Sequence, residues 1–174
     1  MSVFTYHLVK TNYFSALKIL LFPPKQKNIS GLIHAEIMTT MTLGSAIFSP
    51  SRMLIRQIAV FAQWENESDV DHFLTENSLG KILAKGWHTR LTFMRTWGKS
   101  NQFEIPDDTI EFENPDSLIV AATIARTKFL ELPRFIHWGR PVEKLVRDHP
   151  ATTLSLASIK FPNTVSTFSI WKTQ

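Results

Sequence analysis

The side chains best suited to acid–base or ligand chemistry are six histidines: His7, His34, His72, His88, His137 and His149. A neutral imidazole can take a proton near neutral pH or ligate a metal. A mononuclear zinc site, however, calls for a spacing such as H-x-x-x-H on a helix or H-x-H on a strand, and no two of the six stand that way. The 174 residues include no cysteine, which excludes thiolate metal sites, disulfides and cysteine nucleophiles. Six of the 15 acids crowd into residues 104–116, where there is no Lys or Arg, and read as a solvated run rather than a working acid–base pair. There is no G-x-G-x-x-G, no Walker loop and no G-x-S-x-G elbow. A hydrogen-bonded structural role is the commoner fate of a lone histidine. His7 and His88 rise above that because both lie in segments that read as strands, where alternation can turn a side chain into an enclosed space.

The elements that would position them have a legible order. Val3 to Lys10 is rich in β-branched and aromatic residues and reads as a strand. Phe14, Leu17 and Leu21 then step at helical spacing, with Thr11 as the expected cap and Pro23-Pro24 as the stop. Ile33–Met41 and Ile55–Trp64 read as strands joined through a turn region at Gly44–Pro50. Ser68 and Asp71 resemble a capping box opening a helix that buries Val70, Phe73 and Leu74. Asn77-Ser78 and Gly80 divide that stretch into two short helices, and His88 to Trp97 alternates as a strand. The order β-α-β-β-α-β is that of a ferredoxin-like module.

The chain then repeats itself. Residues 99–116, polar and acidic and punctuated by Pro106 and Pro115, read as a linker. Beyond it, Thr123–Trp138 matches His7–Phe22 at an offset of 116, and Phe168-Ser169-Ile170-Trp171 matches Phe61-Ala62-Gln63-Trp64 at an offset of 107. Two matches in the same order argue for duplication. Leu118–Arg126 reads as a strand, Phe129–Val146 as a helical stretch interrupted by Pro133 and by Gly139-Arg140-Pro141, and Thr152–Ile159 and Thr164–Trp171 as two more strands. The expected fold class is α+β, with duplicated ferredoxin-like modules of the dimeric α+β barrel type. Residues 1–98 form the first module, 99–116 the acidic linker and 117–174 a second, incomplete module that lacks its last helix and strand. Such a unit should expose a sheet edge and associate with itself.

Alternation along His88–Trp97 puts Leu91, Phe93 and Trp97 with Arg95 on one face and His88, Arg90, Thr92 and Met94 on the other. The apolar set is expected under the helices. If two such sheets close on each other, the polar set lines a pocket whose walls are drawn from five tryptophans and thirteen phenylalanines. Outside the acidic run the chain holds 19 basic against nine acidic residues, scattered without a run of three. That excess suits an anionic surface, while the scatter gives no nucleic-acid signature. The apolar stretch Tyr13–Phe22 contains Ser15 and Lys18 and is too short to span a bilayer.

Phe61-Ala62-Gln63-Trp64-Glu65-Asn66-Glu67 followed by Asp71-His72-Phe73-Leu74 resembles the first module of the spheroidene monooxygenase family. Trp97-Gly98 looks like the close of that module, and Ala122–Arg126 through Thr167–Trp171 resembles the family's second half. The resemblance implies a haem-dependent monooxygenase that oxygenates a carotenoid or another long apolar molecule with molecular oxygen. If the chain is such an oxygenase, haem is expected between sheet and helix, and the strand faces then offer His88 and Arg90 together, with His7 from the first strand: His7 or His88 as axial ligand to the iron and Arg90 on a propionate. The sequence departs from the haem-degrading members of the barrel superfamily at two points. Leu83 stands where their axial histidine follows an aromatic by ten residues, and Val3–Lys10 lacks their asparagine. The competing readings are a non-catalytic module that carries a hydrophobic ligand and an inactive truncated homologue. Expected partners are an apolar small molecule, a second copy and a peripheral membrane contact, but no nucleic acid. The expected location is the cytoplasm, with the membrane surface as an alternative within it.

Overall fold

The structure is a computed structural model and describes residues 2–45, 49, 52–98, 102–105 and 118–172. It has two compact units, Met1–Ile37 with Arg56–Glu113 and Met38–Ile55 with Asn114–Gln174. Most of the expected acidic linker and the tip of the Gly44–Pro50 turn region lie outside the described residues.

The first unit is built from β1 (Val3–Lys10), α1 (Tyr13–Leu21), β2 (Leu32–Met41), β3 (Met53–Trp64), α2 (Glu67–Glu76), α3 (Ser78–Leu83) and β4 (Trp87–Leu91), with β2 and β3 continuing into the second unit. The strand order is β4-β1-β3-β2, and β1 runs antiparallel to both β3 and β4. This is the ferredoxin-like arrangement read from the element order. One face of the sheet packs Val9, Ile58, Val60, Ala62 and Trp64 against Ala16 and Ile19 of α1, Val70 and Phe73 of α2, and Leu79 and Leu83 of α3. Trp64 and Phe73 meet with ring centroids 4.9 Å apart. The α2–α3 junction depends on Gly80, where a Cβ would lie 1.8 Å from the carbonyl oxygen of Phe73.

Several local expectations are corrected. Asn12, not Thr11, caps α1, its side chain accepting from the backbone N–H of Ser15. Asn66, not Ser68, caps α2, accepting from the N–H of Asp69. In both cases asparagine is the stronger or equal cap and lies nearer the turn. Helix α1 buries Ala16 and Ile19, leaving Phe14, Leu17 and Leu21 exposed. Strand β4 stops at Leu91, six residues short of Trp97.

The two faces of β4 are also reversed from expectation. His88 pairs with His7 and Arg90 with Thr5, and these β1 residues share the helix-side face with Val9. Leu91 pairs with Phe4, on the face opposite α1, α2 and α3, which carries none of the first unit's described helices. On the helix side Arg90 stays exposed and pairs with Glu67 and Asp71 of α2.

The second unit holds β5 (Ile119–Arg126), α4 (Leu132–Asp148), β6 (Thr152–Lys160) and β7 (Thr164–Trp171), together with the end of β2 and the start of β3. The order is β2-β6-β7-β5, with Thr39, Thr40 and Met41 pairing with Ile159, Ser158 and Ala157. Helix α4 runs unbroken: Pro133 sits in its first turn, where no N–H is owed to a bond, and Pro141 is accommodated inside. Its inner side buries Leu132 and Ile136 against Met41, Leu43, Ala157, Ile159 and Val165. Arg52, almost fully buried, bonds Glu143 at 2.9 Å, and the same carboxylate accepts from the N–H of Gly44 at 2.8 Å. The other side of α4 exposes Phe135, Trp138, Val142 and Leu145.

Duplication is visible in the registers. Tyr6 faces Phe61 across β1 and β3, and Ala122 faces Phe168 across β5 and β7. The offset of 116 carries Tyr6 to Ala122, and the offset of 107 carries Phe61 to Phe168. The same holds at the strand ends, where Lys10↔Gln57 becomes Arg126↔Thr164. The second unit therefore repeats the β-α-β-β portion of the first, pairing for pairing.

Candidate functional site

On the helix side of the first sheet lie the residues that sequence reasoning singled out. His7 has no exposed surface. Its Nε2 lies 3.0 Å from the hydroxyl of Thr5, which also accepts from the indole N–H of Trp64 at 2.9 Å. With one lone pair of Thr5 taken by the indole, its own proton is available to Nε2, leaving the other ring nitrogen of His7 buried without a partner. Burial, with the nearby His88 and Arg90, lowers the His7 pKa from 6.5 to about 4 and keeps the ring neutral. The exposed His88 stacks on it at 5.5 Å between centroids. Arg90 donates to Glu67 at 3.3 Å and to Asp71.

These three residues are brought together, yet neither His7 nor Arg90 fits haem. The imidazole of His7 is enclosed, with no open face on which a macrocycle could lie. The guanidinium of Arg90 is held between two carboxylates that would repel a propionate. Among the described residues there is also no group of three or more His, Asp or Glu side chains able to hold a metal ion.

The helix-free face of the same sheet has a different character. Phe4 packs against Phe61 at 5.8 Å, Phe93 at 5.9 Å and Phe103 at 6.3 Å, and Phe61 meets Phe103 at 5.2 Å. His34 meets the ring of Phe103 edge-on at 4.6 Å. Its Nε2 lies 3.2 Å from a carboxylate oxygen of Glu36, which is fully buried. Phe103 is held in place by its neighbour: the side-chain amide of Gln63 donates to the carbonyl of Glu104 at 2.6 Å and accepts from its N–H at 2.8 Å. An aromatic wall with one imidazole–carboxylate pair can hold a planar apolar molecule and take a proton from it.

Sequence reasoning missed His34, Glu36 and Phe103. The signal for the first two was present, since residues two apart on a strand share a face and His34-Ala35-Glu36 is such a pair. Phe103 had no signal beyond being an aromatic in a polar stretch.

In the second unit a half-open cavity of about 60 Å³ lies between α4 and the sheet, lined among others by Met41, Ala125, Phe135, Ile136, Ala157 and Val165. It has room for a few waters, not for a long apolar substrate. No helix among the described residues is long and apolar enough to cross a membrane.

No family model matches the chain, and no curated protein is similar to it, so the likeness to the spheroidene monooxygenase family rests on the quoted residues alone. Among solved structures the chain is similar to a protein of Fusobacterium nucleatum subsp. nucleatum provisionally named a monooxygenase, with TM-score 0.36 and 10% identity over 99% of this chain and 76% of that one. A Lactobacillus acidophilus protein with the same provisional name gives TM-score 0.31 and 8% identity, over 98% and 76% of the two chains. An anthrone oxidase-like protein gives TM-score 0.29 and 14% identity, over 99% and 74%.

Proposed function

We propose that the chain is a monooxygenase-like protein that receives a flat or extended apolar molecule on the helix-free face of its first unit, with His34 as proton acceptor. The observation that supports this reading is the meeting of Phe4, Phe61, Phe93 and Phe103 with the buried His34–Glu36 pair. When the imidazole donates from Nε2 to Glu36, the lone pair resides on Nδ1. The hydrogen bond to the carboxylate fixes the ring and its tautomer. A ligand ring would take the place that Phe103 fills, stacking on Phe61 and Phe4. Removing a proton from a CH₂ group flanked by unsaturation leaves an electron-rich anion that can reduce molecular oxygen. Overall, the CH₂ group and O₂ give a carbonyl and water, so the substrate supplies all four electrons that reduce the oxygen and no external reductant is needed. His7, His88 and Arg90 have no part in this scheme. The carotenoid class of substrate and any use of haem come from the family resemblance.

Anthrone, whose CH₂ lies between two aromatic rings, is a suitable probe. Oxygen uptake and anthraquinone formation are expected with wild type, to be lost in His34→Gln while quenching of tryptophan fluorescence by the probe persists. Binding without uptake in wild type would make the chain a carrier. Uptake that survives His34→Gln would remove His34 from the chemistry.

A further inference from the structure

Helix α1 turns its larger apolar residues away from its own sheet. Tyr13, Phe14, Leu17, Leu21 and Phe22 are 63%, 81%, 47%, 67% and 76% exposed, while Ala16 and Ile19 face the core. Tyr13, Leu17 and Leu21 recur at i, i+4 and i+8, and Phe14 and Leu21 at i and i+7, so the exposed residues form one stripe. Isolated exposed apolar residues need no explanation, but a contiguous stripe marks an interaction site.

The charge around the stripe indicates what occupies it. No Asp or Glu occurs before Glu36, whereas Lys10, Lys18, Lys25 and Lys27 all fall in that stretch. Arg56 of β3 adds a fifth positive charge, its guanidinium lying 5.2 Å from the centre of the Tyr13 ring. Large apolar side chains on one side of a helix, whose own stretch of chain carries cations and no anions, are the composition of a helix that lies in a membrane interface. A second copy of the chain would bring five like charges against five, with no acid among the first 35 residues to compensate. The corresponding stripe on α4 differs, because Glu131 and Asp148 are mixed with its basic residues.

We propose that the α1 stripe docks on the surface of an anionic phospholipid bilayer, with Phe14, Leu17, Leu21 and Phe22 entering the headgroup boundary and the lysines resting on the phosphates. This inference stands apart from the reading of the aromatic face.

The test is co-sedimentation of the full chain with vesicles of phosphatidylcholine alone and of phosphatidylcholine mixed with phosphatidylglycerol. Binding is expected to the mixed vesicles, weakened by added salt, and to fall about fivefold for each of Lys18→Gln and Lys25→Gln. Phe14→Glu should lower it by about tenfold or more. Because these positions are exposed, the circular dichroism of each variant should match wild type. Equal binding to both vesicle types would overturn the proposal. So would binding that survives Phe14→Glu but is lost in Trp138→Glu, which would move the contact to α4. A wild-type dimer by light scattering that Phe14→Glu dissolves, with no vesicle binding, would assign the stripe to a second copy instead.

Discussion

Replacing His7 with asparagine should flatten the acid limb of the protein's stability. In the folded chain the His7 pKa falls from 6.5 to about 4, because the ring is buried beside His88 and Arg90. The fold accepts the neutral ring, so as pH drops the unfolded chain takes up the proton first. The stability tied to this group is therefore complete above pH 6.5 and is lost as the pH falls toward about 4. At roughly 1.4 kcal/mol per tenfold change in proton affinity, the loss amounts to about 3 kcal/mol. Urea unfolding followed by tryptophan fluorescence, from about pH 7.5 down to about pH 4.5, gives the profile for wild type and for His7→Asn. Carboxylates also titrate at the lower end, but they do so in both proteins, and the difference between the two curves isolates His7. The variant is less stable near neutrality, and its deficit should shrink by about 2–3 kcal/mol as the pH is lowered. Parallel curves would show that the ring is not held neutral and that the packing ascribed to His7 is wrong.

Other substitutions probe the supports of the two units. Thr5→Val leaves the indole N–H of Trp64 and the Nε2 of His7 without their shared partner and should cost about 1–3 kcal/mol in chemical unfolding. A loss within experimental error would mean that the triad is not formed. Glu143→Ala strands the buried Arg52 and the N–H of Gly44, and a loss of about 3–5 kcal/mol is expected. Under 1 kcal/mol would contradict the burial of that pair. Gly80→Ala forces α3 off the carbonyl of Phe73 and should cost about 3 kcal/mol, the upper end for overpacking, with a neutral result refuting the tight α2–α3 junction. Arg90→Ala removes only exposed ion pairs and should change stability by about 1 kcal/mol or less.

The element order and the duplication were legible because both depend on patterns that survive divergence. The bounds of β1 and β7 match the expected Val3–Lys10 and Thr164–Trp171, and the two offsets reappear as ladder registers. Faces were harder to read. Periodicity states which residues share a side but not which side is covered. Leu91 of β4 and Phe93 just beyond it find their apolar partner, Phe4, on the face opposite α1, α2 and α3. In α1 the small Ala16 permits a close approach to the sheet that Phe14 and Leu17 would prevent. The pair His34–Glu36 could have been read from its spacing. Phe103 could not, because its place depends on Gln63 clasping the backbone of Glu104 from a strand 41 residues away in sequence.

The measurement that bears most directly on the aromatic face as the working surface is the affinity for anthrone, by fluorescence quenching, of wild type, Phe61→Ala and Phe103→Ala. If a ligand ring takes the place of Phe103, removing that side chain should leave affinity equal or higher, while Phe61→Ala should weaken it about tenfold through the lost stacking surface. Equal affinities in all three proteins, or a loss in Phe103→Ala as large as in Phe61→Ala, would contradict the assignment.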